Sequence, residues 1–310
     1  METLKGGVGM FKEKRLVFFY AVSPIHMGTG TSLGVIDNPI QRERHTEHPI
    51  LAGSGLKGAA RELAEGKISK EEVESIFGPA PGEAEHAGAV SFSDGVIVAF
   101  PVRSLRETFV YVTSPLALER LKRLAQIAGV SGPESWSVPN IADEEAVVVD
   151  GKLLSGETLV LECYEYKGKK NDGFEKVAEW LSKNVLPKEK GFEFFREKLS
   201  KHLVLLSDNQ FTYFVKNSTV VEPHVRIDDT TGTAAEGGLF FTENVPPEAI
   251  FASVLMASDE RKRKDSGKPM KASEIAKKVE KLLDNQLLHI GGDVTTGRGM
   301  VYVRVVGGQK

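Results

Sequence analysis

Apolar and polar positions alternate along this chain in a way that predicts mixed secondary structure. Residues 15–22, RLVFFYAV, apolar without a break from Leu16 on, predict a buried strand ending at Ser23-Pro24. From Ser54, a candidate N-cap, a helix is predicted to about Ala64, with Leu56, Ala59, Ala60 and Leu63 as its apolar stripe. Lys57 and Arg61, four residues apart, then share one helix face. Residues 88–113 hold two strand-like runs, and 116–128 reads as a helix. Residues 132–150 read as loop and then extended chain, and TLVLECYEY as one further strand with Cys163 as a buried thiol. Phe174, Val177, Ala178, Leu181 and Val185 mark an amphipathic helix, and shorter helices are predicted over 191–201 and over 207–217 behind Ser207. VVEPHVRID and LFFTENV then predict a long hairpin whose wide tip, DTTGTAAEGG, is too small and polar to be core. Ile275, Val279, Leu282 and Leu283 define the last helix, and GGDVTTGRG leads into a terminal strand.

The order strand, helix, strands, helix, insertions, helix, strand predicts an α+β fold. Its core would be ferredoxin-like, βαββαβ, with large insertions. In such a core the first and last strands are neighbours, which would bring the glycine loops at 28–34 and 291–299 to the same side.

Composition narrows the function classes. The chain has 310 residues, 41% of them hydrophobic, and a net charge of −3, so any nucleic-acid site must be a local basic face. A single cysteine excludes an intrachain disulfide and a cysteine-based zinc site and suits a reducing cytoplasm. No leader-like segment is read, and no apolar run approaches about 18 residues, so no transmembrane helix and no membrane partner are expected.

Chemistry concentrates between His26 and Arg61, HMGTGTSLGVIDNPIQRERHTEHPILAGSGLKGAAR. Glycine-rich turns let backbone N–H groups approach phosphates, and a helix N-terminus favours anions. Arg42, Arg44, Lys57 and Arg61 add cations, and Asp37 stands alone as an acid. Neither the dinucleotide pattern nor the phosphate-binding loop with its Lys-Ser/Thr pair is present. RNA can be cut by its own 2′-hydroxyl when a protein aligns the strand and stabilises charge, which needs few protein groups. Asp37 is the candidate acid, with an Asx-turn before Pro39 as its structural alternative. His26, His45 and His48 flank the loop without metal-ligand spacing; His26 reads first as a structural donor at a strand end, and Asp94 as a turn residue. The basic run at 261–271 reads as a solvated loop.

The 26–61 segment, with SLGVIDNPIQRE followed by GSGLKGAAR, resembles the amino-terminal signature of the RAMP-superfamily backbone subunit of type III-B CRISPR effectors, the Cmr complex. VRIDDTTGTAAEGGLFFTENVP is similar to that family's thumb, and GGDVTTGRGMVYV to its carboxy-terminal glycine loop. The resemblance spans nearly the whole chain. It implies one RAMP domain over 1–310 with a modified RNA-recognition-type palm, a finger region within 80–110 and a thumb hairpin over 218–245. It implies copies stacked along a CRISPR guide RNA beside other Cmr subunits, with complementary target RNA cut at regular intervals. The implied reaction is divalent-metal-dependent (Mg or Mn) and leaves 2′,3′-cyclic phosphate and 5′-hydroxyl ends. Asp37 falls on the family's catalytic aspartate and is the possible metal contact. Glu236 and His26 fall near the cut, with assisting or positioning roles. Ser54, Lys57, Arg61, Gly297 and Arg298 would hold guide phosphates, and Val225, Arg226, Thr233, Leu239 and Phe241 would build the thumb. Three other readings remain: a non-catalytic guide-binding scaffold, a stand-alone guide-processing nuclease, and a small-molecule phosphate enzyme.

Overall fold

In the computed structural model, which describes residues 9–80, 82, 86–261 and 268–307, the chain opens with β1 (Glu13–Ala21), β2 (Ile50–Leu51), α1 (Gly53–Glu65) and α2 (Lys70–Phe77). There follow β3 (Val90–Phe92), β4 (Gly95–Arg103), β5 (Phe109–Thr113), α3 (Pro115–Ala128) and β6 (Glu145–Val148). Next come β7 (Thr158–Leu161), β8 (Tyr164–Lys170), α4 (Asp172–Val185), α5 (Glu193–Lys201), β9 (Leu203–Leu205) and α6 (Asp208–Asn217). The chain closes with β10 (Val220–Ile227), β11 (Ala234–Asn244), β12 (Ile250–Ala257), α7 (Ala272–Leu283), β13 (Gln286–His289) and β14 (Met300–Val306).

Strands β14, β1, β12 and β4 lie side by side, all antiparallel, with α1 between β1 and β4 in sequence and α7 between β12 and β14. That is the βαββαβ arrangement, and the first and last long strands are indeed neighbours, Leu16 opposite Val306. The chain between β4 and β12 is a large insertion. It continues the same sheet through β5, β9, β6, β8 and β7, and β10 with β11 forms a separate two-stranded hairpin.

The unbroken apolar run of β1 is explained by cover on both faces. Val17, Phe19 and Ala21 join a cluster with Leu56 and Ala60 of α1 and Ile275 and Val279 of α7. Leu16, Phe18 and Tyr20 join a second cluster with Leu118 and Leu121 of α3 and Phe174 and Leu181 of α4. The insertion thus supplies the helices that bury the sheet's second face.

Residues 90–103, within the span expected to hold a finger region, are β3 and β4, paired to β12 in the palm sheet. Three local expectations are corrected. TLVLECYEY is two strands, because Glu162 adopts φ 52° and reverses the chain, which leaves Cys163 exposed in the turn. The hairpin tip is narrower than expected: Ala234–Gly238 already belong to β11, and Asp228 closes the turn by accepting the N–H groups of Thr230 and Thr231. Ser54 is not the cap of α1. It lies inside the helix, and Asp94 Oδ1 accepts the Gly53 N–H at 2.7 Å, so Asp94 caps the helix from the β3–β4 turn. The basic run is described only at its two ends, since 262–267 fall outside the described residues.

Candidate nucleic-acid interface and cleavage site

The two glycine loops meet at His26. The Gly292 N–H donates to the His26 carbonyl at 2.8 Å, and a side chain at Gly291, where φ is 79°, would strike that carbonyl. The His26 Nδ1 lies 2.8 Å from the Glu243 carbonyl, which can only accept, so Nδ1 carries the proton. The ring's other nitrogen faces Gly28, where a Cβ would come within 2.6 Å of it. His26 therefore joins both loops to the base of the hairpin.

Asp37 sits where the first glycine loop docks on β11. Its Oδ2 accepts the Phe241 N–H at 2.7 Å. Asn38 adds backbone bonds of 3.0 Å from its N–H to the Phe241 carbonyl and from the Glu243 N–H to its own carbonyl. The Asx-turn alternative fails because Pro39, two residues on, has no N–H to donate. Among the described residues no hydrogen bond engages Oδ1, and no group of three or more His, Cys, Asp or Glu is placed to hold a metal ion.

The expected cations divide into two kinds. Arg42 is spent on the protein. Its guanidinium donates to the carbonyls of Glu47 (2.7 Å) and Val215 (3.0 Å) and to Glu243 Oε1 (2.6 Å), which ties the loop to α6 and β11. Arg61 donates to the Gly78 carbonyl at 2.7 Å and pairs with Glu65, tying α1 to the end of α2. Arg298 pairs with Glu222 of β10. Arg44 and Ser54 are exposed, and Gly297, at φ 85°, closes the turn before Arg298. Lys57 has no acid partner among the described residues. Burial, then the nearby charges of Arg61 and Arg261, hold its ammonium below the usual lysine range. It borders a cavity of about 530 Å³ lined also by His86 and Arg261, whose Nδ1 and one terminal guanidinium nitrogen are buried without partners among the described residues. Such a setting suits an anion.

On the hairpin, Val225 and Leu239 face each other across the strands and are exposed, as is Arg226. Thr233 bonds Thr231 at the tip, and Phe241 contributes its backbone to the Asp37 contact. Glu236 is exposed on β11, five residues from Phe241, about 17 Å at strand rise. It is not joined to Asp37 within this chain. Sequence reasoning placed Asp94 in its turn without the capping role, and it missed Glu243 and Glu222. Neither glutamate had a signal, since Glu243 stands between Thr242 and Asn244 and Glu222 on a mixed strand.

A ferredoxin-like palm, a glycine-loop pair and an inserted hairpin define a RAMP-type nucleic-acid-binding module. The chain belongs to the RAMP superfamily, whose sequence profile matches residues 18–302. It is 36% identical over 297 residues to the CRISPR system Cmr endoribonuclease Cmr4 of Pyrococcus furiosus, covering 93% of this chain and 94% of that protein. It is 26% identical over 304 residues to the CRISPR system CMR subunit Cmr4 of Saccharolobus solfataricus, again covering 93% and 94%. The crystal structure of oligomeric Cmr4 from Pyrococcus furiosus superimposes with a TM-score of 0.72 at 28% identity, covering 96% of this chain and all of that one.

Proposed function

We propose that this chain is the backbone subunit of a type III-B CRISPR effector. Copies stack along a guide RNA, and each cuts complementary single-stranded target RNA. The observation that carries this reading is the Asp37–Phe241 hydrogen bond. It fixes a lone carboxylate at the joint between a glycine loop and the hairpin, so a hairpin that wedges into a guide–target duplex sets the acid beside the distorted strand. The relatives, an endoribonuclease and a Cmr subunit by name, and the oligomeric crystal structure of Pyrococcus furiosus Cmr4 point the same way.

The chemistry we infer is transesterification. The RNA 2′-oxygen bonds to the adjacent phosphorus while the bond to the 5′-oxygen breaks. The 2′-hydroxyl proton passes to Asp37, and the 5′-oxygen takes a proton from water, leaving a 2′,3′-cyclic phosphate and a 5′-hydroxyl. The protein's task is to align the strand, which is worth much of the barrier in such reactions. Among the described residues no cluster of carboxylates or histidines could hold a divalent ion, so Asp37 would be the residue of this chain to hold one, largely hydrated. When bound it would neutralise phosphate charge. Lys57 and the loop amides hold the guide backbone. Glu236 serves the neighbouring copy's site, because its own Asp37 is too far along the strand. The proposed setting is the cytoplasm, with the other Cmr subunits closing the filament.

One observation favours a scaffold role instead, since Asp37 already makes a structural bond. Asp37→Asn separates the two, because the amide oxygen can still accept the Phe241 N–H while the charge is gone. In a guide-loaded complex with Mg²⁺ or Mn²⁺, this variant should bind target normally and lose the regular cleavage ladder. An intact ladder would place the chemistry on another subunit.

A further inference from the structure

We propose that Glu243 is a positioning residue of the cleavage site: its buried carboxylate holds the Asp37 loop against the hairpin, so that hairpin position and catalytic geometry are one unit. The inference rests on the reading of Asp37 as the catalytic acid.

The side chain of Glu243 is 5% exposed, yet both of its carboxylate oxygens are engaged, by three donors in all. Oε1 accepts from Arg42 at 2.6 Å and from the Thr219 hydroxyl at 2.8 Å. Oε2 accepts the Ile40 N–H at 3.1 Å, three residues after Asp37. The backbone of the same residue works on the other side. Its N–H donates to the Asn38 carbonyl at 3.0 Å, and its carbonyl takes the His26 Nδ1–H at 2.8 Å. One residue thus binds the chain at 38 and at 40, bracketing the tail of the catalytic loop, and also sets the tautomer of His26.

The far side of this hub is equally anchored. Arg42, which neutralises Glu243, also donates to Val215 and Lys216 carbonyls at the end of α6. Thr219 lies between α6 and β10. A shift of the hairpin base relative to α6 therefore acts on the Asp37 loop through Glu243 as well as through the Phe241 contacts. A buried charge is costly to hold without pairing, and this one is paired and bonded throughout, which makes the arrangement a stiff coupling.

Glu243→Gln breaks the coupling with almost no change in volume. If its amide oxygen faces Arg42 and Thr219, its amide N–H₂ opposes the Ile40 N–H, donor against donor. The Asp37 loop then loses its anchor at Ile40, keeping only its bonds to Phe241 and the Glu243 backbone, while the guide-binding face of α1 is untouched. The experiment measures target cleavage at saturating target and, separately, target affinity in guide-loaded complexes, with Asp37→Asn alongside. Glu243→Gln is expected to slow cleavage on the order of 100-fold with affinity retained, as a small misplacement at a reacting centre can. Hydrogen exchange at Ile40 should rise while that at Phe18 in β1 stays protected. A wild-type rate at saturation, with Asp37→Asn inactive, overturns the positioning role alone. Continued cleavage by Asp37→Asn overturns the catalytic reading beneath it. Should Glu243→Gln fail to assemble, Thr219→Val, which removes one donor and leaves the charge pair, decides by the same rate-against-affinity criterion: slower cleavage with retained affinity supports the proposal, and an unchanged rate overturns it.

Discussion

Glu248 occupies the turn between β11 and β12 at φ 72°, with Oε2 buried and without a partner among the described residues. Burial pushes its carboxyl up to about 7. A folded-state pKa raised above the unfolded value means the contribution is intact below about 4.5 and is lost as pH climbs through 7. His48 behaves in the opposite sense. Burial, then the Arg120 charge, lower it to about 4, so its contribution is intact above 6.5 and is lost as pH falls through 4. Its Nε2 meets the Thr212 hydroxyl at 2.8 Å, and its ring packs edge-on against Phe211. Glu248→Gln removes one of these opposed effects. It should stabilise the chain at pH 8 by no more than about 3 kcal/mol and do little at pH 4.5, by the ordinary worth of a pKa unit. Urea midpoints at the two pH values check this, and an equal gain at both would show that burial of the charge is not the cause.

Helix α1 carries the most accessible guide-binding prediction. Its start is pressed so close to β3 that a side chain at Gly53 would meet the Phe92 carbonyl at 2.4 Å, which fixes where Lys57 emerges. Lys57→Glu should weaken guide binding and lower the salt dependence of affinity by about one unit of slope, as loss of one phosphate contact does. Unchanged affinity and slope at moderate salt would remove Lys57 from the interface. The helices other than α2, and the palm strands, were legible in the sequence because 3.6-residue stripes and unbroken apolar runs report burial directly; α2, only eight residues long, was not read. Asp37, Lys57 and the glycine loops were legible because their residue types are rare in that density. What stayed hidden depends on distant partners. Arg42 reads as a surface cation until Glu243, some two hundred positions away, claims it, and Asp94 reads as a turn residue until α1 folds onto it. The split of TLVLECYEY hung on the backbone conformation of Glu162, for which no glycine or asparagine gave warning.

The shape of the whole chain bears on whether one copy holds a complete site. Asp37 is fixed to the base of the hairpin and Glu236 stands exposed toward its tip, separated by five strand residues. A head-to-tail stack of identical chains would let the tip of one copy reach the glycine loops of the next, since a heterologous interface repeats along an open helix. A mixing experiment tests this. Asp37→Asn chains and Glu236→Gln chains are each expected to give filaments that bind target but cut poorly. Assembled together in equal amounts, they should regain cleavage at about a quarter of the sites, where an intact Asp37 from one chain faces an intact Glu236 from its neighbour in the open stack. If both groups act within one chain, no mixture can restore a site, and the ladder stays absent. If Glu236 takes no part, Glu236→Gln filaments cut fully by themselves, and the mixture shows every band at about half strength, as random loading along such a stack requires.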